Sequence, residues 1–325
     1  MKINAIWDQY PMIKDELGQT LDLMAQNIRA DNQPIAQAIL HMVGSGGKLL
    51  RPAYLLLFSM FKATDRHKMI ALAAAVETLH TATLIHDDVI DSSPTRRGSI
   101  SIQEQFGQST AVYSGDYLFI VCFRLMSKYA GDFRGIERYS QHMEAILNGE
   151  MAQTSERYDV NISIDQYFKQ VSGKTGQLFS LAAFLGAYES GNTIAFAKRA
   201  EQIGLKIGIA FQLLDDILDY TDTSQEIGKP IHKDIREGIY SAPLILAMAQ
   251  DRTALVPLLK KQAQINDQDL LIAIKLVIKL GGIKQAKTIA DNYTQEALIG
   301  LKELPDLPAK KILIEITSAL LERRF

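Results

Sequence analysis

Apolar residues recur at helical spacing (i, i+3, i+4 and i+7) through most of this chain. The pattern predicts helices near 12–28, 33–43, 52–62, 67–91, 109–129, 137–154, 164–186, 193–219 and 241–250. No apolar/polar alternation longer than four residues argues for a strand. Gly44-Ser45-Gly46-Gly47 reads as a helix stop, Pro52 as a first helical turn, and Ser92-Ser93-Pro94 as the end of a long helix. Gly228-Lys229-Pro230 closes a loop. Beyond residue 250 the helical pattern weakens but continues to Phe325, without recognisable chemistry. No Pro/Gly/Ser-rich linker interrupts the chain, so one all-α domain over 1–325 is expected in spite of its length.

Composition narrows the function classes. Hydrophobic residues make up 47% and charged residues 22%, the balance of a soluble globular protein. A net charge of −2, with no long basic run, argues against nucleic acid as a partner. The single cysteine, Cys122, excludes an internal disulfide and suits a reducing cytoplasm; its apolar setting, Leu118 to Phe123, reads as a packed thiol. The first residues lack the apolar core of a signal peptide. Leu270 to Ile283, an apolar run, is broken by Lys275 and Lys279, so no transmembrane segment is expected. The expectation is a cytoplasmic protein that a greasy substrate can bring to a membrane surface.

Two acidic clusters break the local electrostatics in the same way. Asp87-Asp88-Val89-Ile90-Asp91 and Asp215-Asp216-Ile217-Leu218-Asp219 both follow apolar helical turns. Residues four apart share a helix face, so Asp87 meets Asp91 and Asp215 meets Asp219, at a cost of about 0.2–0.5 kcal/mol per like-charged pair. Both clusters approach a helix C-terminus, where anions are unfavourable. A strain repeated twice calls for a cation. Hard oxygen ligands, few and on a rigid element, suit magnesium held jointly by carboxylates and substrate phosphates. Neither cluster has the glycine and distal glutamate of a calcium loop.

Basic residues stand where a diphosphate would complete such a site. Gly46-Gly47-Lys48-Leu49-Leu50-Arg51-Pro52 puts two cations at a glycine turn that opens a helix, without the spacing of a Walker A loop. Arg96 and Arg97 follow the first cluster and repel each other unless they share an oxyanion. Lys174, Thr175, Gln212 and Lys229 are polar groups that each, alone, read as capping or surface chemistry. His80 lies two helical turns before Asp87 on one face; a lone histidine there is more often a core group. His86-Asp87 raises the metal phosphohydrolase pattern, which leaves the second cluster unexplained.

In order, Gly-Gly-Lys-x-x-Arg-Pro, Leu-Ile-His-Asp-Asp-Val-Ile-Asp with Arg-Arg-Gly, Lys-Thr, Phe-Gln-Leu-Leu-Asp-Asp-Ile-Leu-Asp and Gly-Lys-Pro occupy residues 46–230. The chain thus resembles the trans-isoprenyl (polyprenyl) diphosphate synthase family, and within it the catalytic large subunits of bacterial heptaprenyl-type synthases. The resemblance implies an antiparallel helix bundle around a deep central cavity, with both acidic motifs at its mouth. It implies magnesium, about three ions with substrate bound, on Asp87, Asp91 and Asp215, with Asp88 and Asp219 assisting. Lys48, Arg51, His80 and Arg97 would hold isopentenyl diphosphate; Arg96, Lys174, Thr175, Gln212 and Lys229 would hold an allylic diphosphate. Of these, Asp87, Asp91, Asp215, Lys174 and Arg96 would carry the catalysis.

The resemblance has departures: His232-Lys233-Asp234 replaces Gly-x-Asp, and Ile239 to Pro243 replaces Val-Thr-Leu-Pro. It implies a homodimer or pairing with a smaller non-catalytic subunit, and apolar faces such as Ala111–Met126 agree. Ala82 and Thr83 are small where short-chain members carry aromatics, which implies a product of about C30–C40 for a quinone side chain, growing along the helix by roughly one isoprene unit per turn. A farnesyl- or geranylgeranyl-length product is the near alternative. A class I terpene cyclase would need a different second motif and neither Lys48 nor Arg51. A non-catalytic partner subunit would have lost aspartates or the arginine pair, which this chain retains.

Overall fold

Helix ends in this protein follow capping and breaker chemistry closely. A computed structural model describes residues 3–45, 47–221 and 233–321. The elements are α1 (Pro11–Asn27), α2 (Gln33–Gly44), α3 (Leu50–Ser59), α4 (Arg66–Ile90), β1 (Thr95–Arg96), β2 (Ser99–Ile100), α5 (Ile102–Phe106), α6 (Gln108–Tyr129), α7 (Phe133–Ser155), α8 (Ile164–Val171), α9 (Gln177–Glu189), α10 (Ile194–Thr221), α11 (Lys233–Arg236), α12 (Ala242–Gln250), α13 (Arg252–Leu259), α14 (Asp267–Lys279), α15 (Gly282–Lys302) and α16 (Pro308–Leu321). Asp65 caps α4 by accepting from the His67 amide, and Ser163 with Gln166 forms a capping box at α8.

The fold is all-α, as expected, and most helix ends fall within a few residues of their predicted positions. Two differences matter. The helix expected over 164–186 is interrupted by a π-helical turn at Ser172–Gly176, between α8 and α9. The apolar pattern lapses between Val171 and Leu178, a gap of less than two turns that a continuous helix also tolerates, and one extra residue in the turn shifts the face presented after it. The only strands among the described residues are β1 and β2, a two-residue antiparallel hairpin pairing Thr95 with Ile100 and Arg96 with Ser99.

The core is one apolar cluster that runs from Trp7 to Leu321. α4 packs on α6 and α3, α9 on α3 and α10, and α10 on α15. Ala71, Ala73, Ala74 and Ala75 of α4 are fully buried, and such small side chains let neighbouring helices approach closely. α4 is long and apolar enough to cross a membrane, at a mean hydropathy of 1.3, yet 78% of that window is buried inside the bundle. The C-terminal ends of α4 and α10 meet at one cavity, and that meeting brings the acidic clusters together.

Candidate active site

α4 delivers the first cluster at its C-terminal turn, with Asp91 as the C-cap residue. Each aspartate there faces its own cation. Arg96, carried on β1, donates from Nε to Asp88 Oδ1 at 2.7 Å and also from Nη2. Arg157, just beyond α7, donates to Asp91 Oδ1 at 2.6 Å. Lys174 Nζ lies 3.9 Å from Asp87 Oδ1 and 2.8 Å from Glu150 Oε2. Burial pushes Asp87 above the usual carboxylate range, with Lys174 opposing and Asp91 adding to the shift. Burial and the neighbouring Asp87 likewise push Glu150 up to about 7, against the pull of Lys174. Lys174 itself is held above its ordinary value by Asp87 and Glu150 in spite of burial. It is an ammonium in the middle of a carboxylate ring.

The π-helical turn presents Lys174 and Thr175. Gly149 of α7 and Gly173 of the turn touch backbone to backbone, and a Cβ on Gly149 would come within 2.6 Å of the Lys174 amide nitrogen. This close approach, open only to glycine, seats Lys174 against Glu150 and Gln153. Thr175 Oγ1 donates to Gln212 Oε1 at 2.8 Å, and Gln212 Nε2 donates to Asp216 Oδ1 at 2.9 Å. Tyr167 Oη donates to Asp216 Oδ2 at 2.6 Å. Burial still lifts Asp216 to about 7, against both donors. A cavity of about 170 Å³ is lined by Asp91, Gln153, Lys174, Thr175, Gln212, Asp216 and Asp234, so parts of both clusters share one space.

A second basic group sits beside the first. Arg51 Nη1 donates to His80 Nε2 at 3.1 Å, and its guanidinium stacks 4.7 Å from the Phe179 ring centroid. Arg51 Nε is buried with no partner among the described residues. Burial, then Arg51 and Arg97, hold His80 well below the ordinary histidine range, so it is a neutral acceptor. Burial lowers Arg51 only to about 10, and it stays cationic at neutral pH. Arg97 reaches this group from the tip of the hairpin, where Arg97 and Gly98 both have positive φ (51° and 77°), as a two-residue turn with the sheet's own twist requires. Left-handed backbone at an arginine costs roughly 1–2 kcal/mol. The Arg97 guanidinium lies against Gly47, next to Lys48. Leu49, Ser92, Arg97 and Tyr158, all non-glycine residues at positive φ, border the site.

The structure therefore assembles Lys174, Thr175 and Gln212 with the aspartates, and Arg51, His80 and Arg97 with one another. Arg96 contacts Asp88 directly, and Asp88 is 2% exposed. Ala82 is buried and Thr83 half-buried on α4 above the cluster. Lys229 and His232, and Gly46 of the first glycine turn, lie outside the described residues. Sequence reasoning missed Glu77, Glu150, Gln153, Arg157, Tyr167 and Phe179. Glu77 alone had a signal: an acid within an apolar helical run, one turn before His80. It is buried, which raises its pKa, with Arg51 and Arg97 pulling the other way.

Among the described residues no three acidic or imidazole side chains converge as a ready-made metal cage. Carboxylates divided between two helix ends, with cationic side chains between them, still fit magnesium, which takes one or two carboxylates and leaves the remaining positions to phosphate and water.

The match to known proteins covers the whole site. The polyprenyl synthetase family model matches residues 32–277. Heptaprenyl diphosphate synthase component 2 of Geobacillus stearothermophilus is 29% identical over 317 residues, 97% of each chain. Octaprenyl diphosphate synthase of Escherichia coli is 30% identical over 92% of this chain and 93% of its own. The crystal structure of geranylgeranyl pyrophosphate synthase from Lactobacillus brevis superposes with a TM-score of 0.94 at 40% identity, covering 98% of this chain and 99% of that one. With its helical bundle, paired acidic clusters and interposed cations, the chain belongs to the polyprenyl synthetase family and is a prenyltransferase.

Proposed function

We propose that this protein condenses isopentenyl diphosphate with an allylic diphosphate, with magnesium, and extends an all-trans chain to about C30, at roughly one isoprene unit per helical turn of cavity. The observation that carries the reading is the shared cavity: Asp91 and Asp216 line it from α4 and α10, with Lys174 and Gln212 between them. Asp87, Asp91 and Asp215 would hold the metal, with Asp88 and Asp219 supporting. When bound, magnesium supplies Lewis-acid withdrawal of charge from the allylic diphosphate. Lys174, Thr175, Gln212, Arg96 and Lys229 grip that diphosphate and meet the charge that develops as its C1–O bond breaks. Lys48, Arg51, His80 and Arg97 hold isopentenyl diphosphate so that its double bond faces the allylic carbon. The new C–C bond leaves a cation, and loss of one proton to the departed diphosphate restores the allylic double bond.

On this reading product length follows from what blocks the tail's path along α4. Glu150 of α7 stands at the level of Asp87 through Lys174. Farther from the metal, Cys122 Sγ contacts both the Ala75 carbonyl of α4, at 3.1 Å, and the Tyr139 hydroxyl of α7. Between these levels α4 presents Ala82, Thr83 and Leu79, and no aromatic residue. We take Tyr139 as the floor, about two helical turns beyond Ala82. An aromatic side chain at Ala82 would stop growth near C15–C20, so two more turns give about C25–C30, which meets the C30–C40 range that the resemblance implies only at C30. The 40% identity to the Lactobacillus brevis protein favours a second reading, a C20 product. Farnesyl diphosphate and labelled isopentenyl diphosphate, with products resolved by length, separate the two.

The same reading includes a cytoplasmic enzyme in which the chain acts as one helical domain and pairs with a second copy. Outward-facing Val112, Tyr113, Ile120 and Phe123 on α6, with Leu147 and Met151 on α7, form an apolar surface that supports this pairing. A smaller non-catalytic subunit is the other occupant of that face.

A further inference from the structure

Arg157 and Tyr158 are adjacent residues that reach opposite sides of the cavity. Arg157 Nη2 holds Asp91 Oδ1 at 2.6 Å, while its Nε is buried without a partner among the described residues. Tyr158 turns the other way. Its amide donates to the Gly238 carbonyl at 2.9 Å, and its hydroxyl donates to the Arg236 carbonyl at 2.7 Å. Its ring lies flat on Gly238, where a Cβ would come within 2.6 Å of it; Gly238 has φ +77°. Tyr158 itself has φ +62°, a strained conformation for an aromatic residue. Strain of this kind persists only where surrounding contacts determine it.

The segment that Tyr158 grips belongs to the second cluster. The Ile239 amide donates to the Asp234 carbonyl at 2.8 Å and the Gly238 amide to the Ile235 carbonyl at 3.2 Å, so 234–239 is a tight turn. The Asp234 side chain faces Asp219 of that cluster. Arg236 pins the same turn to the start of α14 through the Ile265 carbonyl and Asp267. A continuous path of hydrogen bonds and covalent backbone therefore runs from Asp91 through Arg157 and Tyr158 to the 234–239 turn, where Asp234 faces Asp219.

We propose that Arg157 and Tyr158 form a strut that positions Asp91 against the second acidic cluster, fixing the spacing across which a metal–diphosphate group is held. Neither residue touches a reacting atom; both are positioning residues. The inference rests on the reading that the two clusters bind magnesium together. Groups that orient a metal-ligating carboxylate change metal affinity by roughly 10–100-fold when removed.

The test is calorimetric titration of magnesium into the full-length protein with inorganic diphosphate present. Arg157→Ala is expected to weaken magnesium binding by roughly 10–100-fold, and Arg157→Lys to restore part of the loss. Asp91→Asn weakens binding by itself, and adding Arg157→Ala to it produces no further loss, because the arginine acts through that carboxylate. Tyr158→Phe removes only the bond to the Arg236 carbonyl; it weakens magnesium binding in the same direction and carries the test if Arg157→Ala does not fold. Wild-type affinity in both Arg157→Ala and Tyr158→Phe, with Asp91→Asn impaired, overturns the strut and spares the metal reading. A full additional loss in the double variant overturns it too. No magnesium binding by the wild type overturns both.

Discussion

Lys174 forms a 2.8 Å ion pair with Glu150 of α7 while its ammonium stays 3.9 Å from Asp87 of α4. One side chain thus balances acids from two helices that do not pack closely against each other. On the proposed reading an incoming diphosphate finds that charge already in place and half-buried, and a preorganised cation needs no reorganisation at the moment of reaction.

Division of labour between the two basic groups is the first consequence. Lys174→Ala is expected to raise the KM of the allylic substrate, and Arg97→Ala that of isopentenyl diphosphate. Each loss of a charge-assisted contact is about 1.5–3 kcal/mol, roughly ten- to hundredfold in apparent affinity. Steady-state kinetics with each substrate varied in turn checks this. Parallel changes in both constants for both variants would contradict two separate subsites.

On the proposed reading, product length should respond to Ala82 on α4 and to Tyr139 on α7. Ala82→Phe places an aromatic ring on the proposed tail path about one turn from Asp87 and should truncate the product towards about C15–C20 with little effect on the first condensation. Tyr139→Ala removes the floor and lengthens the product by at least one unit. Mass spectrometry of dephosphorylated products reads both. A product of unchanged length from Tyr139→Ala would place the floor elsewhere.

Asp216 makes stability depend on pH in a defined direction. Burial raises it from its ordinary 3.8 to about 7, so the folded chain holds its proton more tightly than the unfolded chain. The stabilisation is complete below about pH 4 and disappears as pH climbs through about 7. Asp216→Asn abolishes this titration. The melting temperature of the wild type minus that of the variant should therefore fall between about pH 5 and pH 8.5, without added metal. A gap that stays flat or widens would show that Asp216 is ionised throughout.

Assembly is tested on the outward face of α6. Ile120 and Tyr113 are 63% and 73% exposed, which is costly for large apolar groups in contact with water. Light scattering at micromolar concentration should give twice the chain mass, and Ile120→Glu should shift the population towards monomer. A sharp monomer in an active wild-type preparation would end the pairing proposal.

The helices and the aspartates were legible in the sequence because both depend on local spacing. Apolar period and caps placed α4 and α10, and like charges four apart exposed the need for a cation. Residues whose role arises from chain crossing were not legible. Glu150 and Gln153 matter because Gly149 meets Gly173, and Arg157 because its turn returns to Asp91. Tyr167 reads as an ordinary amphipathic helix residue until α8 sets its hydroxyl on Asp216. The π-helical turn, Ser172-Gly173-Lys174-Thr175-Gly176, carries two glycines, but glycines inside a helical run do not distinguish a π-turn from a tolerated helix position.

The most direct measurement is condensation under metal control. Purified protein is incubated with farnesyl diphosphate, labelled isopentenyl diphosphate and magnesium, and both released diphosphate and labelled prenyl product are counted. We predict one diphosphate released per isoprene unit added, abolition by chelation, and abolition in Asp87→Ala and in Asp215→Ala with helical circular dichroism unchanged. Near-normal turnover in either variant, or after metal removal, would contradict a clamp built from both acidic clusters.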